Sequence, residues 1–559
     1  MIRLLDSPFL GLLREQMREK WGHLFRLALV SGASDTLLLV LINQSIGEAM
    51  AGTLSVVHLL LFVSLLSLHS LIRYRMLRLA GVAMKNIVYG FRTRIFERLL
   101  RLELTEYEKL GRAEIQLTLG RDLANLSAPS TPFFDILSTI VSTLFCFLYL
   151  AELSPGTALI VVGMNIGYGI YFLDGRIQVI EYIKNSNFIE GHIFTKVTHL
   201  FHGFKELKMH RARRTALMQE HLLPLTQEVR QVQHRISQQM SENITGGDFF
   251  YYMAIATTLF ILPPARVLVG EAAADTITVM IFLFGNVTEI LRTLSMLLQY
   301  DVSVNNLQTL EQRLERPPQE EDSFENQRLK QQDSFERLQL SRASFSYVDS
   351  QGRSVFTVGP IDLEIRRGEL LFLVGGNGSG KSTLLRMLTG LYLPDSGSLM
   401  LNDVPISSLN VDTYRQYFST VFTDFHLFDL FYGLPDVTDG EVDALLKRFR
   451  LDEKTLYHAQ RFSTQDLSTG QRKRLALLTA LLEKRPILVL DEVGADQDPE
   501  FRRFYYEELL PELIAAGKTI LVVSHDDRHF GVAARVLYMD YGNIDHSRTS
   551  HAAHASAVG

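Results

Sequence analysis

Residues 370–383 read LeuLeuPheLeuVal, then Gly375-Gly376-Asn377-Gly378-Ser379-Gly380-Lys381-Ser382, then Thr383. The apolar run 370–374 reads as a buried strand, and ThrLeuLeuArgMetLeuThrGly (383–390) reads as a helix. A glycine-rich loop between a strand and a helix start is the context of the G-x-x-x-x-G-K-[ST] phosphate cradle. Glycines let backbone N–H groups close around an oxyanion, and the helix N-terminus adds partial positive charge. The spacing predicts Lys381 on the β- and γ-phosphates and the Ser382 hydroxyl on Mg²⁺. Gly375 to Thr383 are thus expected to hold a nucleoside triphosphate.

The 559 residues are enough for two or more domains. A net charge of −6 disfavours a general nucleic-acid binder. The apolar residues concentrate in the first three hundred positions. Six stretches there suit a bilayer: about 27–46, 54–72, 134–153, 156–173, 244–262 and 276–298. The connections after spans one, three and five are short and poor in Lys and Arg, with Arg266 the exception. Those after spans two and four are long and basic. They carry Arg73, Arg75, Arg78, Lys85, Arg92 and Arg94 on one, and Arg176, Lys184, Lys196, Lys205, Lys208 and Arg211 on the other. The positive-inside rule places both long segments, the N-terminus and the cradle in the cytoplasm.

Ile87, Phe91, Ile95 and Leu99 recur at a helical step, so the spans are expected to continue as helices beyond the membrane. LeuGlyArg (110–112) and PheIleGluGlyHis (188–192) are candidate reversal points. Asp35, Asn165, Asn286, Glu289 and Arg292 lie in or near spans. They line a polar substrate cavity or supply hydrogen bonds between helices. Glu289 and Arg292, three apart, can pair. The single cysteine, Cys146, excludes a disulfide within the chain and reads as a buried apolar side chain. No cleavable signal peptide is expected.

Residues 308–336 read as a solvated linker carrying Pro317-Pro318, and 547–559 as a disordered tail. Between them, from 337 to 546, lie further motifs. IleLeuValLeuAsp (487–491) ends a strand in a carboxylate, so Asp491 is a candidate for the Mg²⁺ shell. Glu492 follows as a candidate general base. LeuSerThrGlyGln (467–471) precedes a helix and forms a second anion site at its start.

These motifs resemble the ABC ATPase family, whose signature reads LSGGQ; Thr469 is the one departure among Leu467, Ser468, Thr469, Gly470 and Gln471. The resemblance covers 337–546. It implies that AlaAspGlnAsp (495–498), ending in Asp498, is the D-loop and that His525 is the switch histidine. Tyr347, 28 residues before Gly375, is then the aromatic stacked on adenine. Thr423 stands where the family carries the Q-loop glutamine; Thr is too short to copy Gln, and Asp424 or a water is the expected substitute. The acidic segment that many exporters carry before the signature is absent.

In that family two nucleotide domains clamp ATP between the cradle of one and the signature of the other. One copy of each motif here implies a homodimer with two hydrolytic sites. ValPheThrAsp (421–424), AspGlnAspPro (496–499) and SerHisAspAsp (524–527), with the stretch 358–384, look like the cyclic-peptide exporter branch. That branch includes exporters of the pyoverdine siderophore precursor and of a lasso-peptide antibiotic. The fold so implied is a six-span α-helical transmembrane domain (1–307) fused to an α/β P-loop ATPase domain. The implied activity is ATP-driven efflux of a small peptide-like compound through the lipid of a bacterial inner membrane. A lipid or multidrug exporter is the alternative. A soluble ATPase acting on nucleic acid is excluded by the spans.

Overall fold

The computed structural model describes residues 7–50, 52–53, 56–127, 131–261, 272–315, 324–330, 335–349, 351–548 and 550–551. The chain forms two compact units. One comprises residues 1–102 and 106–316, and the other comprises 103–105 and 317–559.

The first unit is helical. A short helix, α1 (Pro8–Gln16), opens it, capped by Ser7, whose hydroxyl accepts from the Leu10 N–H. Phe9, Leu13 and Met17 recur every four residues and are buried. Six longer helices follow: α2 (Trp21–Met50), α3 (Val56–Arg101), α4 (Thr131–Leu153), α5 (Pro155–His202), α6 (Leu223–Ala256) and α7 (Ala272–Arg313). They match the six stretches read from the sequence: four lie wholly or, from Val56, almost wholly within α2, α3, α4 and α5, the sixth lies within α7, and the fifth begins in α6 and runs on through a π-helical turn, Thr257–Ile261. All six are long and apolar enough to cross a membrane. The 46 residues of α3 make it roughly 70 Å long, more than twice a bilayer core. Beyond its apolar part, Met76, Ala80, Ala83, Ile87, Phe91 and Ile95 continue as a buried stripe. That stripe packs with Leu13 of α1 and with Leu307, Leu310 and Leu314.

Three expectations change here. Residues 188–192 are no reversal point: α5 runs unbroken through Gly191, and the first break comes at Gly203. One glycine costs a helix only about 1 kcal/mol, and Gly191 faces the Leu117 side chain. Residues 308–313, assigned to the linker, belong to α7, because Leu307, Leu310 and Leu314 keep an apolar stripe that is buried. Residues 324–330 are helical as well. Pro317-Pro318 lies outside the described residues. In the tail, Ser550–His551 pairs antiparallel with residues 535 and 536, while 552–559 lies outside the described residues. At 110–112 a break does occur, with Gly111 at φ +79° between two short helices.

The polar residues in the spans divide between bonds across helices and bonds within one helix. The Ser142 hydroxyl of α4 donates to Asp35 of α2 at 3.0 Å and accepts from Asn286 of α7 at 3.2 Å. Glu289 and Arg292 pair at 2.9 Å. Asn165 instead donates to its own helix at Val161 and lines a cavity of about 30 Å³ with Tyr168, Phe250 and Tyr251. Cys146 is buried against Thr36. A carboxylate, Asp122, is fully buried at a π-helical turn and accepts from Ser303 and Asn306 of α7.

The second unit is α/β. Strands β1 (Arg337–Val348), β2 (Ser354–Arg366), β3 (Leu370–Gly375), β4 (Ser396–Leu401), β5 (Val404–Pro405), β6 (Phe418–Val421), β7 (Ile487–Asp491), β8 (Thr519–Val523) and β9 (Arg535–Asp540) build two sheets. The antiparallel sheet runs β2-β1-β4-β5, and the parallel core of the other runs β9-β3-β8-β7-β6. β3, β7 and β8 are continuous apolar runs, buried on both faces, as parallel strands flanked by helices are.

Candidate functional site

The loop 375–380 joins β3 to helix α8 (Lys381–Leu388), as the motif requires. Gly380 is at φ +102°, and a Cβ there would lie 2.8 Å from Val358 and 2.9 Å from Met539. Only glycine meets both demands. Lys381 is buried, and its ammonium donates to the Gly375 and Gly376 carbonyls, both at 2.9 Å. Loss of hydration lowers its pKa, opposed by the charges of Glu492 and Asp491. Asn377, Gly378 and Ser382 are exposed, while Ser379 and Thr383 are buried. Among the described residues the Ser379 hydroxyl has no hydrogen-bond partner. Tyr347 donates to or accepts from the Thr383 hydroxyl at 3.1 Å, its ring edge-on to Phe345 and Tyr392.

Adjacent parallel strands bring the catalytic candidates together. β7 ends in Asp491, which is buried, and burial raises its pKa. The Thr423 N–H, just past β6, points to Asp491 at 3.4 Å. So the residue in the Q-loop position addresses the carboxylate through its hydroxyl as well as its backbone, and both hydrogen bonds oppose the rise in the Asp491 pKa. Asp424 is exposed and faces Arg386 at 3.8 Å. Glu492 has a left-handed backbone, φ +53°, an uncommon state for a non-glycine residue. Its N–H donates to Val523 of β8 at 3.1 Å. Its carboxylate lies 3.3 Å from His525 Nε2, just beyond the end of β8. The two residues read as base and switch are therefore neighbours, though 33 positions apart in sequence.

The motif 467–471 starts helix α9 (Thr469–Leu482). Ser468 and Gln471 form a capping box: the Ser468 hydroxyl accepts from the Gln471 N–H, and the Gln471 side chain accepts from the Ser468 N–H. Thr469 takes the first helical position and is exposed, so the departure from glycine is sterically free. Gly470 has no such freedom: a Cβ there would come within 2.4 Å of the Asp496 carbonyl.

Two further cations, Lys473 and Arg474, escaped the sequence reading. Lys473 is buried; it donates to the Glu492 carbonyl at 2.9 Å and pairs with Asp496 at 2.6 Å. Arg474 donates to Gln497 at 2.8 Å and pairs with Asp498. Gln497 in turn donates to the Gly470 carbonyl at 3.1 Å. The basic run after the signature was the available signal, but basic residues usually lie on solvated faces. The Asp498 carboxylate caps the helix Pro499–Phe504 through the Phe501 N–H, and that bond, with help from Arg474, lowers its pKa. Each oxygen has a partner within the chain, and the side chain stays half-exposed. Among the described residues, no hydrogen bond or ion pair links 467–471 to 375–383.

The oxygen donors fit a small hard cation: Asp491 is a buried carboxylate whose ionised form a divalent ion would stabilise, and Ser382 offers an exposed hydroxyl. Among the described residues no group of three or more His, Cys, Asp or Glu could hold a metal without help from another ligand.

Residues 358–495 match the ABC transporter family. The ATP-binding protein SyrD of Pseudomonas syringae pv. syringae is 32% identical over 540 residues, 94% of each chain. The ATP-dependent lipid A-core flippase of Bordetella avium is 25% identical over 86% of this chain and 81% of that one. A bacterial Atm1-family ABC exporter with ATP bound has the same fold, with a TM-score of 0.71 over 96% of this chain and 95% of that one, at 16% identity. With six membrane-spanning helices joined to one ATPase unit, the chain belongs to the ABC transporter family as an exporter half-transporter, an ATPase coupled to transport.

Proposed function

We propose that two copies of this chain export a peptide-like compound, a nonribosomal siderophore precursor or cyclic peptide, across a bacterial inner membrane by alternating access. The observation that carries the dimer is the single signature: among the described residues its Gly470 carbonyl accepts from Gln497 and the adjacent Lys473 reaches Glu492 and Asp496, and no hydrogen bond or ion pair runs from 467–471 to the chain's own cradle. The start of α9, where the capping box of Ser468 and Gln471 frames the Thr469–Gly470 backbone, then meets the γ-phosphate held by a second chain's cradle. ATP closes the pair, and the membrane helices turn their cavity outward. Tyr347 stacks on adenine, Lys381 neutralises the β- and γ-phosphates, and Ser382 and Asp491 hold Mg²⁺, which would balance phosphate charge. Glu492 accepts a proton from the attacking water, and His525, 3.3 Å away, orients that carboxylate. The N-terminus and both long helical connections lie in the cytoplasm, on the charge asymmetry given above.

The peptide-like cargo rests on resemblance of residues 358–384, 421–424, 496–499 and 524–527 to the cyclic-peptide branch. A second reading, lipid export, is favoured by the match to lipid A-core flippases. Extracellular metabolite profiling of a deletion strain separates the two. Loss of one secreted peptide or siderophore such as pyoverdine supports the first reading. An unchanged peptide profile with altered envelope lipid sinks it.

A further inference from the structure

The first unit carries an open cleft of about 800 Å³ that the transport cycle above does not use. It lies where the chain turns from α1 into α2, against the part of α3 that follows its apolar stretch. Arg18 and Lys20 come from the turn, and Arg75 and Arg78 from α3. Leu79 and Val82 form an apolar floor. Glu15, Glu19 and His23 also line the cleft. Four cations against two carboxylates leave an excess of two positive charges, counting His23 as neutral. All four cations are exposed, and none enters an ion pair among the described residues.

The frame is rigid while the rim is free. Phe9, Leu13, Met17 and Leu24 are buried on one side of the turn. Met76, Ala80, Ala83 and Met84 bury the inner face of α3 in the same core. The outer face of α3 therefore presents Arg75, Arg78 and Val82 at fixed helical spacing. Trp21, the only tryptophan of the chain, begins α2 beside Lys20 and is 36% exposed. Tryptophan there marks a membrane–water boundary.

We propose that this cleft binds the headgroup of an anionic phospholipid. The guanidinium groups of Arg75 and Arg78 suit a phosphate oxygen pair. Lys20 and Arg18 supply further positive charge from the turn. The floor of Leu79 and Val82 suits the first methylenes of the acyl chains, which a free phosphate lacks. A generic topogenic charge excess explains basic residues near a span, but not their convergence from two segments on one apolar-floored cleft.

Trp21 is a built-in reporter. The full chain is placed in nanodiscs of phosphatidylcholine, and spin-labelled phosphatidylglycerol or spin-labelled phosphatidylcholine is added at rising mole fraction. The cleft predicts that phosphatidylglycerol quenches Trp21 at about tenfold lower mole fraction. Arg75→Gln with Arg78→Gln removes most of that preference, and Arg75→Lys with Arg78→Lys retains part of it. Equal quenching by the two lipids overturns the proposal, as does a preference unchanged in the double Gln variant. Abolition of the preference by millimolar inorganic phosphate assigns the cleft to soluble anions and overturns the lipid assignment. ATP turnover is measured alongside, so that a misfolded variant is recognised and replaced by Lys20→Gln.

Discussion

The two units record their work in different ways. In the ATPase unit, a phosphate cradle needs backbone N–H groups on a loop of fixed shape, so particular residues must stand at particular positions. Gly380 and Gly470 show the constraint: each lies where a Cβ would strike neighbouring atoms. In the membrane unit the polar residues bond to one another or to their own helices: Asp35, Ser142 and Asn286 link three helices, and Glu289 and Arg292 pair on one. No position there is dictated by a ligand of known shape, and cargo is not legible. A chemical motif is readable when one rigid element supplies most of the contacts. It fades when several helices supply one contact each.

That contrast can be broken most severely at Glu492. Glu492→Gln should lower ATP turnover by at least about 100-fold, with ATP binding retained, in a phosphate-release assay. Turnover within a few-fold of the parent would remove Glu492 from its role. Lys473→Met should come next, at about tenfold, because it frees both the Glu492 carbonyl and Asp496 while leaving every phosphate contact in place. In the membrane unit the corresponding loss is in stability. Asp122→Ala removes the acceptor of the buried Ser303 hydroxyl, of the half-buried Asn306 amide and of the Arg121 guanidinium, which costs about 2–3 kcal/mol. Thermal unfolding in detergent would show it, while ATP affinity stays within about twofold. A large change in ATP affinity instead would join what the comparison separates. Gly470→Ala should cost about 1–3 kcal/mol through the Asp496 carbonyl and lower turnover, whereas Thr469→Gly should change little.

The smallest effect is a pH dependence. Asp498 has a lowered pKa in the fold, chiefly from the Phe501 N–H and then from Arg474. A depressed carboxylate contributes stability that is present above about pH 4 and is lost as pH falls through its folded value. Asp498→Asn should therefore lower the melting temperature more at neutral pH than in acid, the difference narrowing as pH falls below about 4. An equal drop at both would mean that charge plays no part.

Much of the ATPase unit could be read from the chain because strand, loop and helix signals agreed around Gly375 and again around Asp491. The six spans were legible from length and apolarity. What was misread shares a cause. Residues 188–192 and 308–313 looked like breaks from local composition, but packing of Gly191 against Leu117, and of Leu310 and Leu314 in the core, carried the helices through. Helix α1 was missed because nine residues are too few for periodicity to stand out. Lys473 and Arg474 were missed because burial of a cation is decided by its distant partners.

The sequence by itself determined the ATP-binding chemistry and the six spans, since a phosphate loop and a bilayer each impose local and contiguous demands. Only the tertiary structure decided the rest. Parallel pairing of β7 with β8 sets Glu492 beside His525, and the start of α9 is tied by Lys473, Arg474 and Gln497 to the loop that follows β7. Those contacts join residues that the chain alone keeps apart, and their geometry follows from which strands and helices pack together.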